Sequence, residues 1–189
     1  MVSAPSGAGK TTLCERLLDD SVPLARSISA TTRAPRPDER NGVDYRFMSC
    51  GRFRRLAKEG AFLEYEENFG NCYGTPRAFI DRQLGRGRSV LLAIDVKGAM
   101  RVKRLYRSRA VLIFIMPPSI AALRKRLQGR MSDSRTSIST RLALAKKEMA
   151  YREAYKYVVV NDNLNRAYRK LKEIVVAELQ ERTTCRQST

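Results

Sequence analysis

Ser3-Ala4-Pro5-Ser6-Gly7-Ala8-Gly9-Lys10-Thr11-Thr12 stands at the start of the chain and reads as a phosphate-binding loop. The usual pattern is Gly, four residues, then Gly-Lys-Ser/Thr. Gly9, Lys10 and Thr11 satisfy its second half, and Ala4 stands where the first glycine is usual. Each residue type has a physical reason. Gly7 and Gly9 let the backbone turn its amides inward, as a nest for phosphate oxygens. The helix that follows points its positive end at the same place. The lysine reaches terminal phosphates, and the threonine hydroxyl is suited to Mg2+. The expected phosphate contacts are Ser6, Gly7, Ala8, Gly9, Lys10, Thr11 and Thr12, with Thr11 the metal ligand. Leu13, Leu17 and Leu18 follow as an amphipathic run, as a strand–loop–helix unit requires. Only Met1 to Ser3 precede the turn, so either the strand before it is short against a usual ~5–6 residues or the true start lies upstream.

A chain of 189 residues, 43% of them hydrophobic, suffices for one well-buried core with inserted lobes. The longest apolar run, 111–116, is far too short to span a bilayer, and no basic-then-apolar leader opens the sequence. A cytoplasmic setting without a membrane partner is expected. The chain has no histidine, which removes every mechanism built on a catalytic imidazole. Cys14, Cys50, Cys72 and Cys185 form no Cys-x-x-Cys pair, so a zinc site is not expected and the thiols read as free in a reducing compartment. The net charge of +18, from 37 Lys+Arg against 19 Asp+Glu, draws anions, nucleotides and nucleic acids alike. No aromatic–basic RNA-recognition motif accompanies it, so no specific nucleic-acid partner is expected.

Helix and strand signals alternate along the chain. Residues 89–94, 111–116 and Tyr157–Val160 are near-continuous apolar runs, read as strands buried on both faces. Residues 27–30 are a weaker strand signal. Helical periodicity marks 11–19, 76–84, 119–128, 137–154 and 164–181. Pro117-Pro118 closes a strand, and Ser119 caps the next helix. Such alternation predicts a parallel α/β sheet. Residues 31–74 are polar, turn-rich and aromatic, break the pattern, and read as an inserted lobe. The polar end, 182–189, reads as frayed.

A second constellation is sharper. It runs Ser29-Ala30-Thr31-Thr32-Arg33-Ala34-Pro35-Arg36, then Glu39, Asn41-Gly42 and Asp44-Tyr45-Arg46-Phe47. Arg33 and Arg36 sit three apart with a rigid proline between them. They are able to present two planar forks to one anion. Phe62-Leu63-Glu64-Tyr65 sets an acid among apolar residues, and Gly70-Asn71-Cys72-Tyr73-Gly74-Thr75-Pro76 follows. A carboxylate so placed is able to accept two N–H groups from one base edge, and guanine offers such a pair.

With these blocks in order, together with Ile94-Asp95-Val96-Lys97-Gly98-Ala99 and the segments 117–134 and 158–163, the chain resembles the guanylate kinases over nearly its whole length. The resemblance implies an α/β fold of the P-loop nucleoside monophosphate kinase type. Its five-stranded parallel core would comprise 1–30, 76–126 and 151–189, with an inserted GMP-binding lobe at 31–75 and a helical lid at 127–150. It implies phosphoryl transfer from ATP to GMP with Mg2+, giving ADP and GDP. Arg33, Arg36, Tyr45 and Tyr73 would then hold the GMP phosphate. Ser29, Glu64, Gly74, Thr75 and Asp95 would serve the guanine side. Lys10 and Thr11 would serve the ATP phosphates and Mg2+, and Asn161 the adenine side. Arg130 and Arg141 would come from the lid and complete a catalytic set with Lys10 and Arg33. This chemistry needs positioning and charge neutralisation more than a proton-transfer base, so a histidine-free chain suits it. Monomer and homodimer both remain open.

Four positions depart from the family pattern. Ala4 is one. Ala93 stands where many members carry an acid, Met131 where the lid usually has glycine, and Lys156 where an aspartate is common. Three other readings share part of the motif set. A non-catalytic interaction module of this type typically lacks the phosphate loop, whereas Gly9-Lys10-Thr11, Arg33 and Arg36 are retained. A kinase of the same fold with another phosphorylated acceptor is disfavoured by Glu64 in its apolar setting. RNA binding has only the charge behind it.

Overall fold

The computed structural model describes residues 1–20, 22–129 and 135–187. In chain order its elements are β1 (Val2–Ser3), α1 (Lys10–Asp19), β2 (Leu24–Arg26), β3 (Ala30–Thr31), β4 (Arg46–Phe47), α2 (Cys50–Lys58), β5 (Phe62–Asn68) and β6 (Asn71–Pro76). There follow α3 (Arg77–Gly85), β7 (Ser89–Leu91), α4 (Val96–Tyr106), β8 (Ile113–Met116), α5 (Ile120–Gln128), α6 (Arg135–Met149), β9 (Tyr157–Val160) and α7 (Leu164–Gln187).

The pairs β1/β8, β8/β9 and β2/β7 are all parallel. A parallel bridge between Val2 and Ala93 joins the two sets. There the Val2 N–H donates to the Leu92 carbonyl at 2.8 Å and the Ile94 N–H to the Val2 carbonyl at 3.2 Å. The strand order is therefore β2-β7-β1-β8-β9, the five parallel strands expected. β1 is central and only two residues long, yet Val2 and Ser3 are both 0% exposed. Neighbours on both sides supply the pairing that its length does not.

Strand periodicity sorts the core into two layers. Ile113 and Ile115 of β8 face α1 and α7, packing with Leu13, Leu17 and Leu171. Leu112 and Phe114 face the other way, towards Ile80 of α3 and Val96, Ala99 and Val102 of α4. The outer strand differs from expectation. Val159 of β9 is buried, but Val158 and Val160 are 43% and 47% exposed, so this apolar run forms an edge strand covered on one face only. Residues 27–30 also differ. Ser27, Ile28 and Ser29 form no strand and instead carry the chain from β2 in the core to β3 in a second sheet. The helix expected at 137–154 gives way after Met149 to a tighter helical turn, Ala150–Ala154.

The second sheet has the order β4-β3-β6-β5 and mixes parallel and antiparallel pairs. α2 packs on it through Phe53, whose ring stacks on Phe62 at 4.5 Å. Ser49 caps α2 by accepting from the Arg52 N–H. Lys156, unusual by sequence, is accounted for. Its ammonium donates to Glu178 Oε1 at 2.5 Å, and the same oxygen accepts from the Tyr157 hydroxyl at 2.8 Å. The reversed charge thus meets a carboxylate on α7.

Gly74 lies beneath the aromatic pair. A Cβ there would stand 3.0 Å from Phe53 Cζ and from the Phe62 ring. Gly74→Ala is expected to lose about 1–3 kcal/mol in urea unfolding, the usual cost of overpacking. An unchanged unfolding midpoint would contradict this packing.

Candidate active site

The phosphate loop leaves the C-terminal end of β1. Gly7 and Gly9 hold φ of 90° and 93°, where side chains other than hydrogen are disfavoured. Space makes the same demand. A Cβ on Gly9 would fall 2.4 Å from Asn161 Nδ2, and one on Gly7 would fall 2.9 Å from Leu127 Cδ2. Asn161 Nδ2 donates to the Ala8 carbonyl at 2.8 Å, so a buried amide at the end of β9 braces the loop from below. α1 has no side-chain cap, and the amides of its first turn lack intrahelical acceptors, as at any helix start. That is the electrostatic setting for an anion. Ala8 is buried, Ser6 is half-buried, and Thr11 and Thr12 are exposed. Lys10 donates to the Ile94 carbonyl at 2.8 Å. Burial lowers its pKa, opposed by negative groups that include Asp95, Glu148 and Glu64.

A carboxylate pair forms the second part of the site. Glu64 on β5 is 7% exposed and accepts from the Thr75 hydroxyl. Burial pushes its carboxyl up to about 7. Gly98 allows the approach, since a Cβ there would lie 2.5 Å from Glu64 Oε2. Asp95 Oδ1 caps α4 by accepting from the Gly98 N–H at 2.8 Å, and its Oδ2 accepts from Asn68 Nδ2 at 2.8 Å. Glu64, Thr75 and Asp95 are thereby brought together. Ser29 is half-buried in the link before β3, and its carbonyl accepts from the Arg46 N–H.

Arg33 anchors the third part. Its guanidinium bonds both oxygens of Glu39, at 2.7 and 2.8 Å, and lies 5.5 Å from the Tyr45 ring. Tyr45 and Tyr73 meet edge-on with centroids 6.1 Å apart. The hydrogen bond to Glu39 raises the Arg33 pKa. Both bonds to Glu39 leave Nη2, and Nη1 donates to the Ala34 carbonyl at 2.7 Å, so the guanidinium is already engaged by an anion and a carbonyl. Arg36 is exposed, and its N–H donates to Glu39 Oε2 at 2.8 Å. Gly74 belongs to the lobe's aromatic packing described above. Arg141 on α6 sets its guanidinium carbon 5.3 Å from the Phe69 centroid. Arg130 and Met131 lie outside the described residues.

Three residues were not singled out by sequence. Glu39 appeared in the block without a role, although its place three residues after Arg36 was a usable signal. Asn68 reads as a turn residue. Glu148 looks like a surface acid beside Lys146 and Lys147, yet burial pushes it up to about 7, with Lys10 opposing and Asp95 adding. Its spacing of seven from Arg141 puts both on one side of α6. Cys14 is not set up as a nucleophile. Burial pushes Cys14 up to about 11, and a protonated thiol is a poor nucleophile. A cavity of about 1030 Å3 lies at the opposite end of the strands, lined by Met1, Leu24, Val90 and Val111 among others.

A phosphate loop on the central strand of an all-parallel sheet, with an arginine–tyrosine nest on an inserted sheet, is the architecture of a P-loop kinase. Comparison with known proteins narrows the class. The sequence model for guanylate kinase matches residues 1–178. A guanylate kinase of Wolbachia sp. subsp. Brugia malayi is 48% identical over 178 residues, covering 94% of this chain and 91% of that protein. One from Caulobacter vibrioides is 49% identical over 178 residues, covering 94% and 84%. The crystal structure of guanylate kinase from Anaplasma phagocytophilum aligns with a TM-score of 0.79 at 36% identity, covering 94% of this chain and 83% of that one. The chain belongs to the guanylate kinase family, and it is a phosphotransferase. Among the described residues no helix is long and apolar enough to cross a membrane.

Glu64 gives a pH prediction. The folded protein keeps a proton there up to about 7, whereas an ordinary glutamate releases it at 4.5. The folded state therefore binds more protons between those values, and its stability from this group is lost as pH rises through 7. In urea unfolding, Glu64→Gln is expected to flatten that decline. Identical pH profiles for the two proteins would contradict the assignment.

Proposed function

We propose that this protein transfers the γ-phosphoryl group of ATP to GMP, giving ADP and GDP. The observation that carries the reading is Glu64: a buried carboxylate held by Thr75, next to Asp95, in a member of the guanylate kinase family. When ionised it accepts the N1 and N2 hydrogens of guanine, which adenine does not offer. Ser29, Thr75 and Asp95 complete the base side, and Gly74 gives the backbone room. Arg33, Arg36, Tyr45 and Tyr73 take the GMP phosphate, which displaces Glu39 from the Arg33 fork.

On the donor side, the loop from Ser6 to Thr12 holds the ATP phosphates. Lys10 exchanges the Ile94 carbonyl for a phosphate oxygen. Asn161 serves the adenine side through the loop it braces. The lobe is assigned to 31–75, the lid to 127–150, and the core to the remainder. Closure of lobe and lid brings donor and acceptor into line and excludes water, which would otherwise take the phosphoryl group. Arg130 and Arg141 offset the charge that develops in transfer.

The residues fit Mg2+ carried in on ATP. Thr11 presents an exposed hydroxyl on the first turn of α1, and no described cluster of three His, Cys, Asp or Glu side chains competes for the ion. Ala93 adds no carboxylate, which Mg2+ tolerates because it keeps several waters. Held there by Thr11 and the ATP phosphates, Mg2+ would supply positive charge that offsets the phosphate charge during transfer. A cytoplasmic setting, where both nucleotides and reduced thiols occur, accords with this role.

Glu64→Ala tests the reading. The KM for GMP should rise about tenfold to a hundredfold, as for lost hydrogen bonds to a charged group, with the KM for ATP within about twofold. Equal losses for both nucleotides would remove Glu64 as the reader of the base.

A further inference from the structure

The turn between β5 and β6 is made of Phe69 and Gly70 alone, at φ of 53° and 74°, with Asn68 paired to Asn71. Two positive φ values in a two-residue hairpin loop describe the turn for which Asn-Gly is the favoured sequence. Glycine suits its position. Phenylalanine does not, because a bulky side chain at positive φ crowds its own backbone. Burial offers no compensation: Phe69 is 50% exposed and joins none of the hydrophobic clusters. An unfavourable residue has been placed at an exposed tip, and strain of this kind concentrates at functional positions.

The tip's contacts say what it does. Asn68 Nδ2 donates to Asp95 Oδ2 at 2.8 Å, fixing the hairpin to the core beside the carboxylates. Asn71 Nδ2 donates to the Phe69 carbonyl at 3.2 Å, fixing the turn itself. The Phe69 ring lies 5.3 Å from the guanidinium carbon of Arg141. Four residues therefore connect the inserted sheet, the start of α4 and the middle of α6. A cation on a half-exposed ring is held weakly enough to exchange, and a guanidinium lying over a ring face leaves its in-plane N–H groups able to bond an anion.

We propose that Phe69 is a positioning residue for phosphoryl transfer. It holds the Arg141 guanidinium over the cleft, so that this arginine meets the phosphates without a search through its rotamers. The proposal rests on the ATP-to-GMP reading above. Phe69 touches neither nucleotide in this scheme and acts only through Arg141, with Asn68 setting the height of the tip against Asp95.

Phe69→Asn separates this role from a structural one, because Asn-Gly suits the turn better than Phe-Gly. The variant should unfold at an unchanged or higher urea midpoint, yet lose about three- to tenfold in kcat, the worth of a cation–ring contact, with the GMP KM within about twofold. In an Arg141→Ala background the same substitution should cost nothing further, since a residue acting through another is silent once that partner is gone. The chain has no tryptophan, so Phe69→Trp adds a single indole whose emission, excited beyond the tyrosine band, should shift on Arg141→Ala. Unchanged kcat in Phe69→Asn, an equal loss in both backgrounds, or a drop in midpoint parallel to activity would each overturn the proposal. No transfer to GMP by the unsubstituted protein would instead sink the underlying reading, and this one with it.

Discussion

The hydrogen bond from Asn161 to the Ala8 carbonyl is the contact on which the rest of the site depends. A phosphate nest needs backbone amides turned inward, which the chain does not adopt unaided. Glycines at positive φ permit the turn, and a brace beneath it makes the turn persist. Asn161 supplies the brace from the far end of β9, so the nest is tied to the sheet on both sides. Gly9 is required twice over, by its φ and by the amide packed where a Cβ would be. Because β1 has only two residues, the loop's position is set by β7, β8 and β9 more than by the strand it follows.

Charge is arranged around that brace with stand-ins. The Ile94 carbonyl occupies the Lys10 ammonium, and the Glu39 carboxylate occupies the Arg33 fork. Each cation thus has an oxygen partner within the fold. Glu64 is treated in the opposite way. Burial raises its pKa, so two N–H donors brought against it would favour its ionised form. Such prearrangement is what phosphoryl transfer asks of a protein that has no chemical group to contribute.

Much of this was legible in the residues. The loop motif and the apolar run at 111–116 gave the core, since a buried parallel strand leaves an unbroken hydrophobic signature; Tyr157–Val160 was legible as a strand but not as the half-exposed edge it is. The inserted sheet was not legible as a sheet, and the reason is physical. On β5 the inward positions include Glu64, Glu66 and Asn68, so polar residues stand where alternation would place apolar ones. A strand that presents functional groups hides its own period. β3 and β4 have two residues each, too few for any periodicity. α4 was missed because its first turn contains Gly98, which is there to admit Glu64. Pairings across the fold, such as Asn68 with Asp95, have no local signal at all.

If a braced loop and a buried guanine reader serve one reaction, the acceptor is specific. ADP release from ATP and Mg2+ should be followed with GMP, AMP, CMP and UMP offered separately. Turnover is expected with GMP and none above background with the other three. Equal turnover with AMP and GMP, or none with any acceptor in folded protein, would contradict it.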